Sequence, residues 1–220
     1  MARPAVNTET KKGEAAPAAR PFSFVERLRE IGMFFEGADR VHQAMRKVGA
    51  AFKDHDITYA IVGGMAVNAH RHVRTTGDVD FLVRPEALPT IRRLAAEGVF
   101  ASVPNRSRRF VEPSTGIHFD VLVAGGFPGS GTPGPIAFPD PGAVTDIVND
   151  LPVVNLRALV ELKLAARRHK DFADVVDLIR ANDLDESFAS RLHASVRADF
   201  IGCLDEKRRE DEYEARRDAQ

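Results

Sequence analysis

The sequence predicts an α+β (mixed α/β) protein: a small central mixed sheet flanked by helices, followed by a helical C-terminal part. Three observations carry this. Short β-rich runs cluster between residues 58 and 123. Runs with helical apolar spacing lie before and between them. After a Gly/Pro-rich stretch at residues 125–142, the pattern turns helical to the end. A Rossmann arrangement is disfavoured by the absence of a G-x-G-x-x-G motif and by too few βα units.

The chain has 220 residues, with 31 Lys+Arg against 32 Asp+Glu and 44% apolar residues. That suits one domain with a helical appendage and allows a sizeable core. A formal charge of −1 means that any nucleic-acid contact must come from a local patch. The single cysteine, Cys203, rules out an internal disulfide and a multi-Cys metal site, and points to a reducing compartment, the cytoplasm. No apolar run is long enough to span a membrane.

Residues 1–21 are rich in Ala, Pro, Thr and Lys without an apolar h-region, and read as a disordered tail rather than a signal peptide. The core is expected over 22–150. Phe24, Leu28 and Ile31 are at helical spacing, with Ser23 as a cap, and Val41, Met45, Val48 and Phe52 stripe a second helix over 38–53. Residues 58–62 read as a strand that runs into Gly63-Gly64, then a helix over 65–71. A strand over 78–83, a helix over 86–97 and strands over 99–103, 107–111 and 117–123 follow, with Pro104-Asn105-Arg106 as a turn. The Gly/Pro stretch is an irregular connection, either a loop over a site or a linker. Residues 151–204 form the helical part, with helices over 156–169, 171–181 and 186–196. Residues 205–220 read as a solvated charged tail laced with i,i+4 pairs.

The chemistry concentrates in residues 59–83. Asp78 and Asp80 are two apart on a predicted strand, so their side chains share a face, while Val79, Phe81 and Val83 take the other. Carboxylates so placed repel unless a cation sits between them or one is protonated, and their oxygens suit Mg²⁺ or Mn²⁺. D-x-D also occurs at solvated strand starts, so its surroundings decide. The Gly63-Gly64 turn opens a helix, where backbone amides can receive a phosphate. His70, Arg71 and Arg74 follow it and can neutralise phosphate oxygens, or stand as surface positions. Asp120 lies among Phe119, Val121, Leu122 and Val123, where an unpaired carboxylate is costly. Three aspartates from two strands can hold two divalent ions.

Gly63-Gly64, then Arg74-x-Thr76-x-Asp78-Val79-Asp80, then a strand bearing Asp120, resembles the nucleotidyltransferase superfamily that includes DNA polymerase beta. Within it the chain looks most like the small bacterial AbiE-type toxins. The resemblance spans roughly residues 51–178. It is extended by Lys163 on a helix and by the segment Arg168-His169-Lys170-Asp171-Phe172-Ala173-Asp174. It implies a nucleotidyltransferase-type sheet and a metal-dependent transfer of an NMP from an NTP such as ATP, with Asp78, Asp80 and Asp120 as metal ligands. Gly63, Gly64, Arg74 and Thr76 would serve the nucleotide. Lys163 would meet the triphosphate, and Asp171 and Asp174 would position the following helix or contact basic groups. From spacing alone Lys163 snorkels to the surface, and Asp171 or Asp174 caps a helix or forms an ion pair. The implied acceptor is an RNA 3′ end such as tRNA, a protein side chain or a small molecule, and the implied partner is an antitoxin. Many superfamily members have Gly-Ser where this chain has Gly63-Gly64. Arg106, Arg108, Arg109 and the run 167–170 form either a basic patch for RNA or a solvated face. The rival readings are a catalytically degenerate module that binds nucleotide or a partner, and a phosphohydrolase or nuclease using the same carboxylates.

Overall fold

The computed structural model describes residues 33–34 and 37–219. The expected tail over 1–21 and the helix around Phe24, Leu28 and Ile31 lie outside the described residues.

The architecture is a mixed α/β fold built on one seven-stranded sheet of order β3-β4-β5-β2-β1-β7-β6. The strands are β1 (Tyr59–Val62), β2 (Asp78–Val83), β3 (Ala101–Val103), β4 (Arg106–Glu112), β5 (Ile117–Val123), β6 (Thr145–Val148) and β7 (Leu151–Val154). Strands β2 and β5 pair in parallel, as do β1 and β7, and the other neighbours are antiparallel. The helices are α1 (Arg40–Asp54), α2 (Gly63–Ala69), α3 (Ala87–Ala96), α4 (Leu156–Ala166), α5 (His169–Ala181), α6 (Glu186–Arg191) and α7 (Arg197–Asp218).

The stripe Val41, Met45, Val48 and Phe52 is buried on α1, as its spacing requires. Asp39 starts that helix, accepting hydrogen bonds from the Val41 and His42 amides at 2.6 and 3.3 Å. Phe52 meets Phe81, Tyr59 and Phe119 edge-on, with centroids 5.3, 5.6 and 6.4 Å away. These contacts fix which face of β2 and β5 is core. Because side chains alternate along a strand, the same contacts send Asp78, Asp80 and Asp120 to the opposite face. Core packing against α1 therefore aims the carboxylates.

The C-terminal part differs from the sequence reading in three places, the first being residues 151–154, which form β7 of the sheet and not the start of the helical part. The helix expected over 156–169 breaks at Arg167, which adopts φ +55°. Its guanidinium bonds Asp199 at 2.8 Å and lies over the Phe172 ring, and α5 restarts at His169. The helix expected over 186–196 stops at Arg191, and residues 194–196 form a 3₁₀ turn. The charged end continues α7 to Asp218, with i,i+4 pairs such as Lys207–Asp211 at 2.6 Å and Arg216–Glu212 at 3.1 Å. The β6–β7 hairpin was not anticipated from sequence. It turns on Asn149 and Asp150, both with positive φ.

Candidate active site

An open cleft of about 390 Å³ lies over the carboxylate face of the sheet. Its walls include Gly63, Gly64, Arg74, Thr76, Asp78, Asp80, Asp120 and Lys163, so the residues expected to serve metal, nucleotide and catalysis reach one place. His70 and Arg71 do not. The His70 ring bonds the Val154 carbonyl at 2.7 Å, and Arg71 is exposed with φ +71°.

The parallel register of β2 and β5 sets Asp80 beside Asp120, and Asp78 beside His118. The antiparallel register of β1 and β2 sets Val62 beside Asp80, so the turn after β1 abuts the same carboxylate. Gly63 is required there on two counts. Its φ is +64°, and a Cβ would come within 1.9 Å of Asp80 Oδ2. Gly64 is close to Thr76, whose Oγ1 would lie 2.8 Å from an added Cβ. Val62, the residue before α2, makes no side-chain cap, so the first amides of α2 have no side-chain acceptor there. Gly63→Ala is expected to turn Asp80 out of its place and abolish Mn²⁺ binding. Its left-handed alanine should cost about 1–2 kcal/mol, a fall of roughly 2–8 °C in Tm. Metal titration and a thermal melt check this; wild-type Mn²⁺ binding in the variant would refute it.

Asp80 has its carboxyl raised from the usual 3.8 to about 6, first by burial and then by Asp78 and Asp120. Burial also raises Asp120, against the pull of Arg109. Arg109 is the residue that the sequence reading did not bring to the site. Its Nη1 donates to Asp120 Oδ2 at 2.5 Å and its Nη2 to Asp78 Oδ2 at 3.4 Å. Position 109 faces Asp120 across the β4–β5 hairpin, so it belongs to the carboxylates and not to a solvated run with Arg106 and Arg108.

A buried ionic network closes the C-terminal side. Lys163 is 5% exposed and does not snorkel to the surface. Its Nζ donates to Asp171 Oδ1 at 3.2 Å and to Asp174 Oδ2. Arg168 Nε bonds Asp171 at 2.5 Å, and Arg74 meets Asp174 at 2.6 Å. Asp171 sits in the first turn of α5 and is not its cap. Burial raises Asp174, but bonds and charge from Lys163 and Arg74 outweigh it and hold the carboxyl below its usual range. Arg168 and Lys170, from the run read as either an RNA patch or a solvated face, line the cleft, while Arg167 turns away to Asp199.

Phe127, Pro128, Gly129 and Phe138 of the Gly/Pro connection form the remaining wall. The connection is tied at its neck, where Gly125 N bonds Phe138 O at 2.8 Å and Phe138 N bonds Gly126 O at 2.7 Å. Arg84 grips Asp140 with two hydrogen bonds, at 2.8 and 3.0 Å, just beyond that neck.

Among the described residues no group of three or more His, Cys, Asp or Glu stands in a ready metal-holding cluster. The donor set nevertheless has the right chemistry for a hard divalent ion. It offers oxygen ligands from adjacent strands, burial and then mutual repulsion that raise Asp80, and a guanidinium already drawn between two of the carboxylates.

The fold and site therefore define a mixed α/β protein with a carboxylate-lined cleft beside a glycine turn. No family model matches the chain, and no curated protein does. Among solved structures it is similar to the antibiotic-resistance factor ANT(2'')-Ia, at 13% identity over 76% of this chain and 96% of that one, with a TM-score of 0.47. It is also similar to the lincosamide antibiotic adenylyltransferase LnuA in its lincomycin-bound form, at 14% identity over 62% of this chain and 94% of that one, TM-score 0.46. A STING-associated CdnE c-di-GMP synthase from Capnocytophaga granulosa matches at 13% identity over 78% and 66%, TM-score 0.31.

Proposed function

We propose that the chain is a metal-dependent nucleotidyltransferase that moves an NMP from an NTP to an acceptor hydroxyl and releases pyrophosphate. One observation carries the reading. Three aspartates on neighbouring parallel strands line an open cleft directly beside a glycine turn, and the core packing of Phe81 and Phe119 holds them there. Asp78, Asp80 and Asp120 would hold Mg²⁺ or Mn²⁺, which when bound neutralises triphosphate charge and makes the acceptor hydroxyl easier to ionise.

The chain's own groups supply the rest. The amides opening α2 receive phosphate oxygens at the Gly63-Gly64 turn, with Thr76 behind it. Lys163, Arg168 and Lys170 make the far wall cationic, against the charge of a triphosphate. Asp120, made more basic by burial, accepts the acceptor's proton. The acceptor oxygen then bonds the α-phosphorus in line, and the bond to the bridging oxygen breaks with the electron pair leaving on pyrophosphate. Arg74 acts through Asp174, holding the Lys163 network in place.

The acceptor is an RNA 3′ end, a protein side chain or a small molecule. The toxin role and the antitoxin partner rest on the resemblance of the sequence motifs, and the cytoplasm on the single cysteine. No described helix is long and apolar enough to cross a membrane. A second reading, a nucleotide-binding module without turnover, is favoured by one observation: Arg109 is bonded to two of the three aspartates. Incubating the protein with each α-³²P-labelled NTP, Mg²⁺ or Mn²⁺ and a bacterial lysate separates the two. Label in RNA, protein or a small molecule is expected with wild type and absent with Asp80→Asn. Nucleotide binding by calorimetry without any labelled product would support the binding module instead.

A further inference from the structure

We propose that Arg109 is a built-in counter-cation that holds Asp78 and Asp120 in the metal-free protein and is displaced when a divalent ion binds. This rests on the metal-dependent reading of the site and adds the residue that sets its affinity.

Three observations lead to it. Arg109 is the one cation paired with Asp78 or Asp120 among the described residues, bridging carboxylates on two different strands. Of the other cations lining the cleft, Lys163 and Arg74 pair with Asp174 and Arg168 pairs with Asp171, and among the described residues Lys170 pairs with neither Asp78 nor Asp120. The guanidinium is also a third exposed, so it can rotate outward without unpacking the core. A guanidinium and a divalent ion compete for the same carboxylate oxygens, because each neutralises the same repulsion. The free protein thereby avoids leaving Asp78 and Asp120 bare, and metal binding carries the cost of breaking both ion pairs. Arg109 is thus a positioning residue, keeping the ligands aimed while it weakens the ion they await.

The test is an equilibrium Mn²⁺ titration of the full chain, by electron paramagnetic resonance and calorimetry, for wild type, Arg109→Gln and Arg109→Lys. Arg109→Gln is expected to bind Mn²⁺ about tenfold more tightly, as removal of two partly exposed ion pairs implies. Arg109→Lys keeps the charge but loses the two-pronged donor, and should bind about threefold more tightly. Saturating Mn²⁺ should raise Tm further in Arg109→Gln than in wild type, since its apo form has lost the counter-ion. Wild-type or weaker affinity in Arg109→Gln overturns the proposal and leaves the metal site standing. If Arg109→Gln does not fold, the same result in Arg109→Lys overturns it. Absence of Mn²⁺ binding in all three proteins overturns both this proposal and the metal-dependent reading.

Discussion

Asp80→Asn is expected to abolish nucleotidyl transfer and yet make the metal-free protein more stable at neutral pH. Asp80 carries its charge where burial and two neighbouring aspartates oppose it, which lifts its carboxyl from the usual 3.8 to about 6. The folded state therefore binds more protons than the unfolded chain between roughly pH 4 and 6. For this group, stability grows as pH falls through that window, and at pH 7.5 the full penalty of the buried charge is present. A shift of about two pKa units corresponds to about 3 kcal/mol, and screening of a partly exposed side chain brings it to about 1–2 kcal/mol. Thermal melts in EDTA should place Asp80→Asn about 2–8 °C above wild type at pH 7.5 and level with it at pH 4. A lower Tm at pH 7.5 would mean that a partner stabilises the Asp80 carboxylate, and would remove the argument that the site waits for a cation. Saturating Mn²⁺ should reverse the order, because only the wild type gains the ion's binding energy. A charge that is unfavourable in the free protein is the expected mark of a ligand-binding residue.

Sequence alone reveals those parts of the site that follow from strict alternation. Strands β2 and β5 have the bounds read from their residues, Asp78–Val83 and Ile117–Val123, because each sets polar positions against an unbroken apolar face. The helical stripe of α1 is visible for the same reason. The β6–β7 hairpin escapes because its signals conflict. Pro152 sits inside a strand, Asp146 and Ile147 are both exposed, and the turn uses Asn149 and Asp150 with positive φ and no glycine. Arg109 escapes because it lies in the run Arg-Ser-Arg-Arg, where composition suggests a solvated face. The pairing register finds it, since stepping out from the pair Glu112–Ile117 places Arg109 opposite Asp120. Lys163 is singled out only by the family resemblance, since its neighbours hide it from a reading by spacing. Between Leu162 and Leu164 a lysine looks like an edge residue, and only the return of α5 brings Asp171 and Asp174 to its Nζ. The carboxylates are thus local in the sequence, while the cations that answer them depend on tertiary pairing.

Lys163→Met is expected to do the reverse of Asp80→Asn: lose activity and lose stability together. The ammonium and both its carboxylate partners are nearly sealed from water, with side-chain exposures of 6% for Lys163, 1% for Asp171 and 5% for Asp174. Removing the lysine leaves two buried carboxylates facing an apolar side chain, a change that costs about 3–5 kcal/mol when no other partner remains. Here Arg168 still holds Asp171 at 2.5 Å and Arg74 still holds Asp174 at 2.6 Å, which places the loss at the lower end, about 3 kcal/mol. That is a fall of roughly 6–12 °C in Tm. The same lysine's charge also lowers Asp80, so its removal pushes that carboxyl further up. Adding Asp174→Asn to Lys163→Met should recover part of the lost stability by removing one of the two buried carboxylates that have lost the lysine, and none of the activity. If Lys163→Met alone melts with wild type, the network is not what holds α4 against α5. If the double variant also regains transfer, Lys163 serves structure alone, and the cationic wall of the cleft reduces to Arg168 and Lys170.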